Sequence, residues 1–283
     1  MAVHWLSGLL LLALAPGCAA TLARVDSSMF PDPPRNAITF WGHACCYIDV
    51  GGFGIVTDPM FENSATFRRR KVPAPPRSAY AGARVILISH AHDDHLSPAT
   101  IATFPESTLV LCPEPSARYL SEPGRVVRTM KPGDEFEYPG GRIVAVAAHH
   151  PGGRFSNDAE ADGRALGYVI YAPEARLYYS GDTDPFPGFE AVARAHQPTL
   201  VILNVNGHLK SMDAVRAAQS LGAQTVVPVH YGVFGYLFWG ERKAPRSYEE
   251  LSRHLGPILV PLELGRSLPL GGQAATPLPE SSR

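Results

Sequence analysis

Short apolar runs bounded by turn residues recur through most of the chain and predict a succession of strands. The stretch AITFWGHACCYIDVGGFGIVTDP, residues 37–59, has two β-rich runs separated by Gly51-Gly52, which predicts a hairpin. RVILIS, residues 84–89, is a continuous apolar run of the kind found in strands buried on both faces. Ser97 and Pro98 then predict the start of a helix, with Ser97 as the N-cap and Pro98 at the first helical position.

The rest of the chain divides into a β-rich middle section and an alternating last third. In the middle section, turn residues such as Pro132-Gly133 and Gly140-Gly141 separate the predicted strands. The last third alternates predicted helices with predicted strands and ends in a strand over residues 258–264, ILVPLEL. Two β-rich halves that each carry helices predict an α+β fold, with two sheets packed together and the helices outside.

The N-terminal residues have the features of an export signal. The stretch from Trp5 to Ala20 is apolar, ends in small residues, and is too short to span a bilayer as a stable helix. We therefore predict a signal peptide over residues 1–20 and an exported, bacterial, periplasmic or membrane-anchored protein. Because residues 14–18, LAPGC, resemble a bacterial lipobox, membrane attachment through a lipidated Cys18 is one hypothesis and plain cleavage is the other.

The remaining boundaries follow from composition. We predict a linker over residues 21–35, one domain over residues 36–270, and a disordered tail over residues 271–283. Of the 283 residues, 45% are hydrophobic and 18% are charged, as in ordinary soluble domains. The net charge of −1 gives no general reason to expect binding to nucleic acid.

Two local features have structural interpretations at this stage. The run from Arg68 to Lys71 is interpreted as a solvated loop, with contact to an anionic substrate as the alternative. Cys45, Cys46 and Cys112 are interpreted as small buried residues.

One cluster of polar residues is more specific. Three of the 11 histidines lie in HAHDDH, residues 90–95, directly after the predicted buried strand. Side chains two positions apart in a strand share a face, so His90 and His92 can converge on one point, while Asp94 and His95 can reach a second point nearby. Imidazole and carboxylate together are ligands for Zn²⁺, Fe²⁺ or Mn²⁺.

Three further predicted strands end in candidate ligands. The run RIVAVAAHH ends in His149 and His150, RLYYSGD ends in Asp182, and TVVPVH ends in His230. If the strand ends gather at one edge, His90, His92 and one of the two adjacent histidines can hold one metal ion. Asp94, His95 and His230 can hold another, and Asp182 can bridge them. Two metal ions held about 3.5–4 Å apart activate a shared water for hydrolysis.

The order of these motifs resembles the metallo-β-lactamase superfamily, from about residue 37 to about residue 268. Within it, FWGHACCYID, TDPMF, SGDTD and PVHYGVF resemble the branch of ascorbate-6-phosphate lactonases and N-acyl-phosphatidylethanolamine phospholipase D. The resemblance implies a four-layer αβ/βα sandwich, the ligand set given above, and Asp94 as the residue that orients the attacking hydroxide. It implies a supporting role for His43 and Asp58.

The resemblance also bears on the two adjacent histidines. The branch often has a basic residue four positions after the ligand histidine, and Arg154 selects His150 over His149 in that register. Asn206 and His208 lie where the branch has a loop near the metals, and we predict that they bind substrate, against the alternative that they are merely solvated.

The resulting prediction is a hydrolase with a hydroxide bridging two divalent metal ions. Zn²⁺ is expected, with Mn²⁺ or Fe²⁺ as alternatives. The bond attacked is an ester-type bond, either a phosphodiester or a lactone, in a small-molecule or lipid-like substrate. The alternatives are an iron-dependent redox enzyme and a non-catalytic binding protein, because one fold can host several functions.

Overall fold

A computed structural model describes residues 23–62, 68–120, 124–151, 153–154, 164–205, 208–236 and 245–271. The predicted signal peptide and, apart from Gly271, the predicted tail lie outside the described residues, so both stay predictions. Among the helices in the described ranges, none combines the length and the apolar character needed to cross a bilayer.

One mixed sheet has seven strands in the order β15-β1-β2-β3-β5-β6-β7. Its strands are β1 (Ala37–Gly42), β2 (Cys45–Val50), β3 (Phe53–Thr57), β5 (Ala83–Leu87), β6 (Leu109–Pro113), β7 (Val127–Met130) and β15 (Ser267–Pro269). Strands β3, β5, β6 and β7 run parallel, so their carboxyl ends meet at one edge.

The second mixed sheet has six strands in the order β13-β12-β11-β10-β9-β8. Its strands are β8 (Glu135–Tyr138), β9 (Gly141–Ala147), β10 (Leu166–Tyr171), β11 (Arg176–Tyr179), β12 (Leu200–Asn204) and β13 (Thr225–Val229). A small ribbon pairs β4 (Arg68–Arg70) with β14 (Phe234–Tyr236).

The helices are short, and local capping explains where the first begins. They are α1 (Pro98–Ile101), α2 (Glu114–Ala117), α3 (Gly188–His196), α4 (Ser211–Leu221) and α5 (Pro245–Leu255). The Ser97 side chain accepts a hydrogen bond from the Thr100 amide, and Pro98 follows, as the sequence predicted. This cap fixes the point at which the chain leaves the strand-to-helix turn.

The buried side chains form three apolar layers that follow the alternation along the strands. In β5, Val85 and Leu87 face the core between the two sheets, whereas Ile86 and its follower Ile88 pack on the outer side of the first sheet. Side chains of α3, α4 and α5 cover the outer side of the second sheet. The arrangement is the predicted α+β sandwich, with helices outside two packed sheets.

The strand prediction was wrong at two places. The predicted hairpin across Gly51-Gly52 is present as β2 and β3, but the run before it is two strands, β1 and β2, because Gly42 and His43 adopt positive φ angles of 99° and 56° and turn the chain. The predicted strand over residues 258–264 is absent from the described sheets: Leu259 makes one isolated bridge to Val226. Pro261 within it cannot donate to a ladder. The edge beside β1 is instead taken by β15.

The segment predicted as a linker lies against the domain from Ala23 onward. The Ala23 amide donates to the Phe61 carbonyl at 2.8 Å, and Val25 pairs with Ala74 in an isolated bridge. Phe30 is only 2% exposed and belongs to the outer core of the first sheet. The described part of this segment is therefore packed structure rather than a free connection.

The basic run from Arg68 to Lys71 was interpreted as a solvated loop or as a contact for an anionic substrate, and Arg70 fits neither interpretation. This side chain is buried and its guanidinium donates to four backbone carbonyls, those of Trp41, Met60, Val72 and Pro73. Arg70 therefore fastens loops together, whereas Lys71 is exposed. The three remaining cysteines are free and buried, as predicted.

Candidate metal centre

The turn that carries HAHDDH is held at both ends. The backbone of Ser89 accepts from the Leu166 amide at 2.8 Å, which ties the end of β5 to the second sheet. The Arg154 guanidinium donates to the carbonyls of Ala91 and Leu96 at 3.3 and 2.6 Å. Because strand, helix cap and arginine all restrain the turn, its imidazoles are placed by the fold.

The first group of potential ligands consists of His90, His92 and His150, which offer one ring nitrogen each within 4.8 Å of one another. His150 Nε2 and His92 Nδ1 are 3.2 Å apart, and the His90 ring lies 4.5 Å from the His150 ring. These are the three histidines that the sequence assigned to one metal ion.

The second group consists of Asp94, His95 and His230, as predicted, together with His43. The Nε2 atoms of His95 and His230 are 3.2 Å apart. Asp94 Oδ2 lies 3.9 Å from His230 Nε2 and 3.3 Å from His43 Nε2. The carboxylate and the three imidazoles thus surround one point.

Asp182 lies between the two groups. Its Oδ2 atom is 4.0 Å from His90 Nε2 and 3.3 Å from His95 Nε2, while its Oδ1 atom is 3.5 Å from His230 Nε2. Asn204, which the sequence reasoning missed, donates from Nδ2 to Asp182 Oδ1 at 2.8 Å. This carboxylate is in the position that a bridging ligand would occupy.

The two adjacent histidines have opposite environments. His150 is 2% exposed and faces His92, whereas His149 is exposed and its ring lies near Phe186, with centroids 6.2 Å apart. Adjacent residues at a strand end point to opposite faces, so only one of them can reach the site. The structure brings His150, and not His149, to the other candidate ligands.

Asp58 and His95 form a carboxylate–imidazole pair, hereafter the buried pair, in which both side chains are 0% exposed. Asp58 Oδ2 lies 2.7 Å from His95 Nδ1 and accepts from the Tyr179 hydroxyl at 2.5 Å. The Ser89 amide and hydroxyl also donate to Asp58, at 2.7 and 2.5 Å. An acceptor on Nδ1 fixes the tautomer and leaves Nε2 free to bind a metal.

His43 lies closer to the second group than a remote supporting residue would. Its ring is 4.1 Å from that of His230, and its backbone carbonyl accepts from the His230 amide at 2.7 Å. The family resemblance implied only a supporting role for His43, and strand periodicity did not select it, because His43 lies in the tight turn between β1 and β2. The pattern of buried strand ends could not select it.

His208 and Asp184 form a second carboxylate–imidazole pair, hereafter the exposed pair. His208 Nδ1 and Asp184 Oδ1 are 3.0 Å apart, and the side chains are 38% and 42% exposed. The His208 ring lies 4.2 Å from that of His150. Of the two predicted substrate-binding residues, the structure therefore brings His208 to the site, and Asn206 lies outside the described residues.

The electrostatics keep all three imidazoles of the first group neutral at neutral pH. Burial, followed by the neighbouring imidazoles, lowers the pKa of His90 well below its usual value. Burial is also the largest cause that lowers the pKa of His92 to about 4 and that of His150 to about 3. Neutral imidazoles have a lone pair available for a cation at neutral pH.

The acidic residues act differently on His95 and Asp182. Burial opposes the charge on His95, but Asp182 and Asp58 outweigh it and raise the pKa of His95 to about 9. Burial likewise opposes the charge on Asp182, yet His230, His95 and His90 hold the pKa of its carboxyl well below the usual range. The centre of the site therefore carries an anion that attracts cations.

The chemistry of these residues fits metal binding. His90 Nε2 is buried and has no hydrogen-bond partner among the described residues. The ring nitrogens of His92 and His150 face each other at 3.2 Å, where a shared cation would satisfy both lone pairs. Histidine and aspartate without a thiolate are also the donor set of hydrolytic zinc, manganese and iron sites.

Comparison with known proteins gives consistent matches along the chain. A family model described as "Beta-lactamase superfamily domain" matches residues 54–231, a range that contains every predicted metal ligand. A UPF0173 metal-dependent hydrolase of Thermoplasma acidophilum is 25% identical over 238 residues, which are 83% of this chain and 99% of the relative.

Solved structures resemble the fold at lower identity. A metallo hydrolase from the archaeon Ignicoccus hospitalis has a TM-score of 0.64 and 20% identity, covering 82% of this chain and 97% of its own. An isothiocyanate hydrolase from Delia radicum gut bacteria has a TM-score of 0.65 and 19% identity, covering 82% and 98%. At these identities the likeness concerns the fold.

Proposed function

This chain belongs to the beta-lactamase superfamily, and from that membership we propose that it is a dinuclear metal-dependent hydrolase of ester-type bonds. A phosphodiester or a lactone is the expected bond, in keeping with the resemblance to the lactonase and phospholipase branch. The relatives named metal-dependent hydrolases support the hydrolase part of the proposal. The observation that carries it further is the position of Asp182 between two groups of ligand atoms.

The proposed ligands divide between two positions. His90, His92 and His150 would hold one ion, Asp94, His95 and His230 the other, and Asp182 both. Zn²⁺ is the expected metal, with Mn²⁺ and Fe²⁺ as alternatives. When bound, two such ions lower the pKa of a shared water toward neutrality and stabilise the negative charge of the reacting oxygens.

The protein's own residues would orient these groups. Asp58 holds the proton of His95 at Nδ1, so that Nε2 faces Asp182. Asn204 fixes the Asp182 carboxylate through Oδ1. Asp94, whose Oδ2 atom lies 3.3 Å from His43 Nε2, is the residue that would orient the attacking water. His43 thereby gains a role in holding Asp94.

The two rival functions differ in what they require. An iron-dependent redox enzyme would use the same ligands, but would consume an oxidant and would not cleave esters. A non-catalytic binding protein would not need a complete set of ligands, and the set here includes all seven predicted residues in or beside the two groups. That completeness favours an enzyme.

Elemental analysis combined with a substrate panel tests the proposal. The full chain, its His92→Ala variant and its Asp182→Ala variant would be assayed with bis-p-nitrophenyl phosphate, lactones and phospholipids. We expect two equivalents of metal and ester cleavage that both substitutions abolish. Activity that survives both substitutions would refute the site. Iron, oxygen consumption and no ester cleavage would favour the redox enzyme instead.

A further inference from the structure

The exposed pair, Asp184 and His208, lies beside the metal centre but belongs to neither ligand group of the proposed function. One ring nitrogen of His208, one of His150 and one carboxylate oxygen of Asp182 lie within 4.8 Å of one another. Because the exposed pair is more than a third exposed, a molecule that reaches Asp182 from solvent can also meet His208.

The backbone places Asp184 by the same contacts that place the proposed ligands. The Asp184 amide donates to the His149 carbonyl at 2.8 Å, next to His150 in the chain. In return, the His149 amide donates to Thr183 Oγ1 at 3.0 Å. These two hydrogen bonds therefore connect the segment after Asp182 to the strand end that carries His150. They hold Asp184 where its carboxylate contacts His208.

The bond to Asp184 determines what His208 can offer. A carboxylate oxygen 3.0 Å from His208 Nδ1 accepts the ring proton, so the neutral imidazole carries its hydrogen on Nδ1. Nε2 then has a lone pair and accepts a hydrogen bond. Its partner on a substrate must bear a donor, and a hydroxyl group is a donor that a lactone or a phosphodiester can carry.

We propose that His208 Nε2 accepts a hydrogen bond from a hydroxyl group of the substrate next to the scissile ester, and that Asp184 is the positioning residue that sets this tautomer. The substrate class is therefore a hydroxylated lactone or phosphodiester rather than an unsubstituted one. The proposal rests on the proposed function for the ester, but the tautomer is a property of the protein alone.

The first measurement reads the tautomer directly. Nitrogen-15 NMR of the zinc-loaded chain at pH 8.5, where an ordinary imidazole is neutral, is assigned at His208 by comparison with His208→Ala. We expect the proton on Nδ1 in the wild type and in Asp184→Asn, whose amide oxygen still accepts, but on Nε2 in Asp184→Ala. A wild type with its proton on Nε2 would overturn the role of Asp184.

The second measurement compares two lactones that differ in one hydroxyl, α-hydroxy-γ-butyrolactone and γ-butyrolactone. His208→Ala should lower kcat/KM about tenfold for the hydroxylated lactone and little for the other, since one hydrogen bond is lost. Asp184→Ala should lower it about threefold, Asp184→Asn less, and all variants should keep their metal. Equal losses on both lactones, or loss of metal in His208→Ala, would overturn the contact.

Asp213→Ala serves as the matched control, because Asp213 pairs with Arg216 at 3.0 Å on α4 and contacts neither member of the exposed pair. If the wild type hydrolyses neither lactone, the proposed function fails for that class, and the two compounds become ligands. The His208 Nε2 resonance should then shift with the hydroxylated lactone only. No shift, or the same shift with both lactones, would refute the hydroxyl contact independently of turnover.

Discussion

Two carboxylate–imidazole pairs flank the metal centre and differ mainly in burial. The buried pair, Asp58 and His95, has a separation of 2.7 Å and no exposed side-chain surface. The exposed pair, Asp184 and His208, has a separation of 3.0 Å and side chains that are 42% and 38% exposed. The same two functional groups therefore fit different purposes in the proposed function: the buried pair would orient a metal ligand, whereas the exposed pair is accessible from solvent.

Burial also determines how many partners each carboxylate needs. Besides His95, Asp58 accepts from the Ser89 amide, the Ser89 hydroxyl and the Tyr179 hydroxyl. A buried charge is costly unless such donors replace water, and each donor would be costly if Asp58 were removed. Water can replace the partner of an exposed carboxylate, so Asp184 should matter for function far more than for stability.

The largest expected effect follows from removing the buried carboxylate. Asp58→Ala leaves His95, Ser89 and Tyr179 without their acceptor, and we expect the free energy of unfolding to fall by about 3–5 kcal/mol. Urea denaturation of the metal-free protein measures it. Asp184→Ala is the matched variant and should change stability by less than about 0.5 kcal/mol. Similar losses in both variants would show that burial does not separate the two pairs.

The second-largest expected effect is a loss of stability in acid, caused by protonation of His92. In the metal-free protein, the folded-state pKa of His92 is about 4 against 6.5 for an ordinary histidine. The unfolded chain therefore binds the proton first, and stability is lost as pH falls from 6.5 through 4. The protonation of His92 alone should lower the free energy of unfolding by about 3 kcal/mol over this pH range.

The buried pair should respond in the opposite direction. The pKa of His95 is raised to about 9, so its contribution is full below pH 6.5 and is lost as pH rises through 9. Denaturation of the metal-free chain from pH 4 to pH 10 should thus show a maximum between these limits. A stability that rises steadily to pH 10 would contradict the coupling of His95 to Asp58 and Asp182.

Substitution of His150 and of its neighbour His149 tests which of the two binds metal in the first ligand group. His150 belongs to the first ligand group and its ring lies 4.2 Å from that of His208, so His150→Ala should weaken zinc binding by about 100-fold or more, since loss of a partner outside the ligand shell already costs about 10–100-fold. His149→Ala removes an exposed imidazole one residue away and should leave zinc affinity unchanged. Competition with a chromophoric chelator measures both. If His149→Ala weakened zinc binding and His150→Ala did not, the metal site would lie on the face of the strand that carries His149.

The sequence predicted those parts of the site that regular strands deliver. His90, His150, Asp182 and His230 each follow a buried apolar run, and strand ends of a packed sheet meet at one edge. His92, Asp94 and His95 then follow from the local spacing of the turn. One-dimensional periodicity is sufficient for these residues except at His149 and His150, where it left both open and the family resemblance selected His150.

The remaining residues depend on contacts that periodicity does not encode. His43 enters the site because Gly42 and His43, both with positive φ, form a turn that divides one predicted strand into β1 and β2. Asn204 is an ordinary polar residue at the end of β12 until its amide is found 2.8 Å from Asp182. The pairing of Asp184 with His208 spans 24 residues and depends on how two loops meet.

The smallest effect concerns one donor of the buried pair and has a control in the neighbouring residue. Tyr179→Phe removes the hydroxyl that donates a hydrogen bond to Asp58 at 2.5 Å and should lower the free energy of unfolding by about 2 kcal/mol, as expected for a hydrogen bond to a charged group. Tyr178 is equally buried, but its hydroxyl has no hydrogen-bond partner among the described residues, so Tyr178→Phe should cost nothing. Urea denaturation of the two variants isolates the hydrogen bond, because each loses the same atom from a fully buried ring. Equal stabilities would show that the Ser89 donors and His95 suffice for Asp58, and that the buried pair needs fewer partners than its geometry indicates.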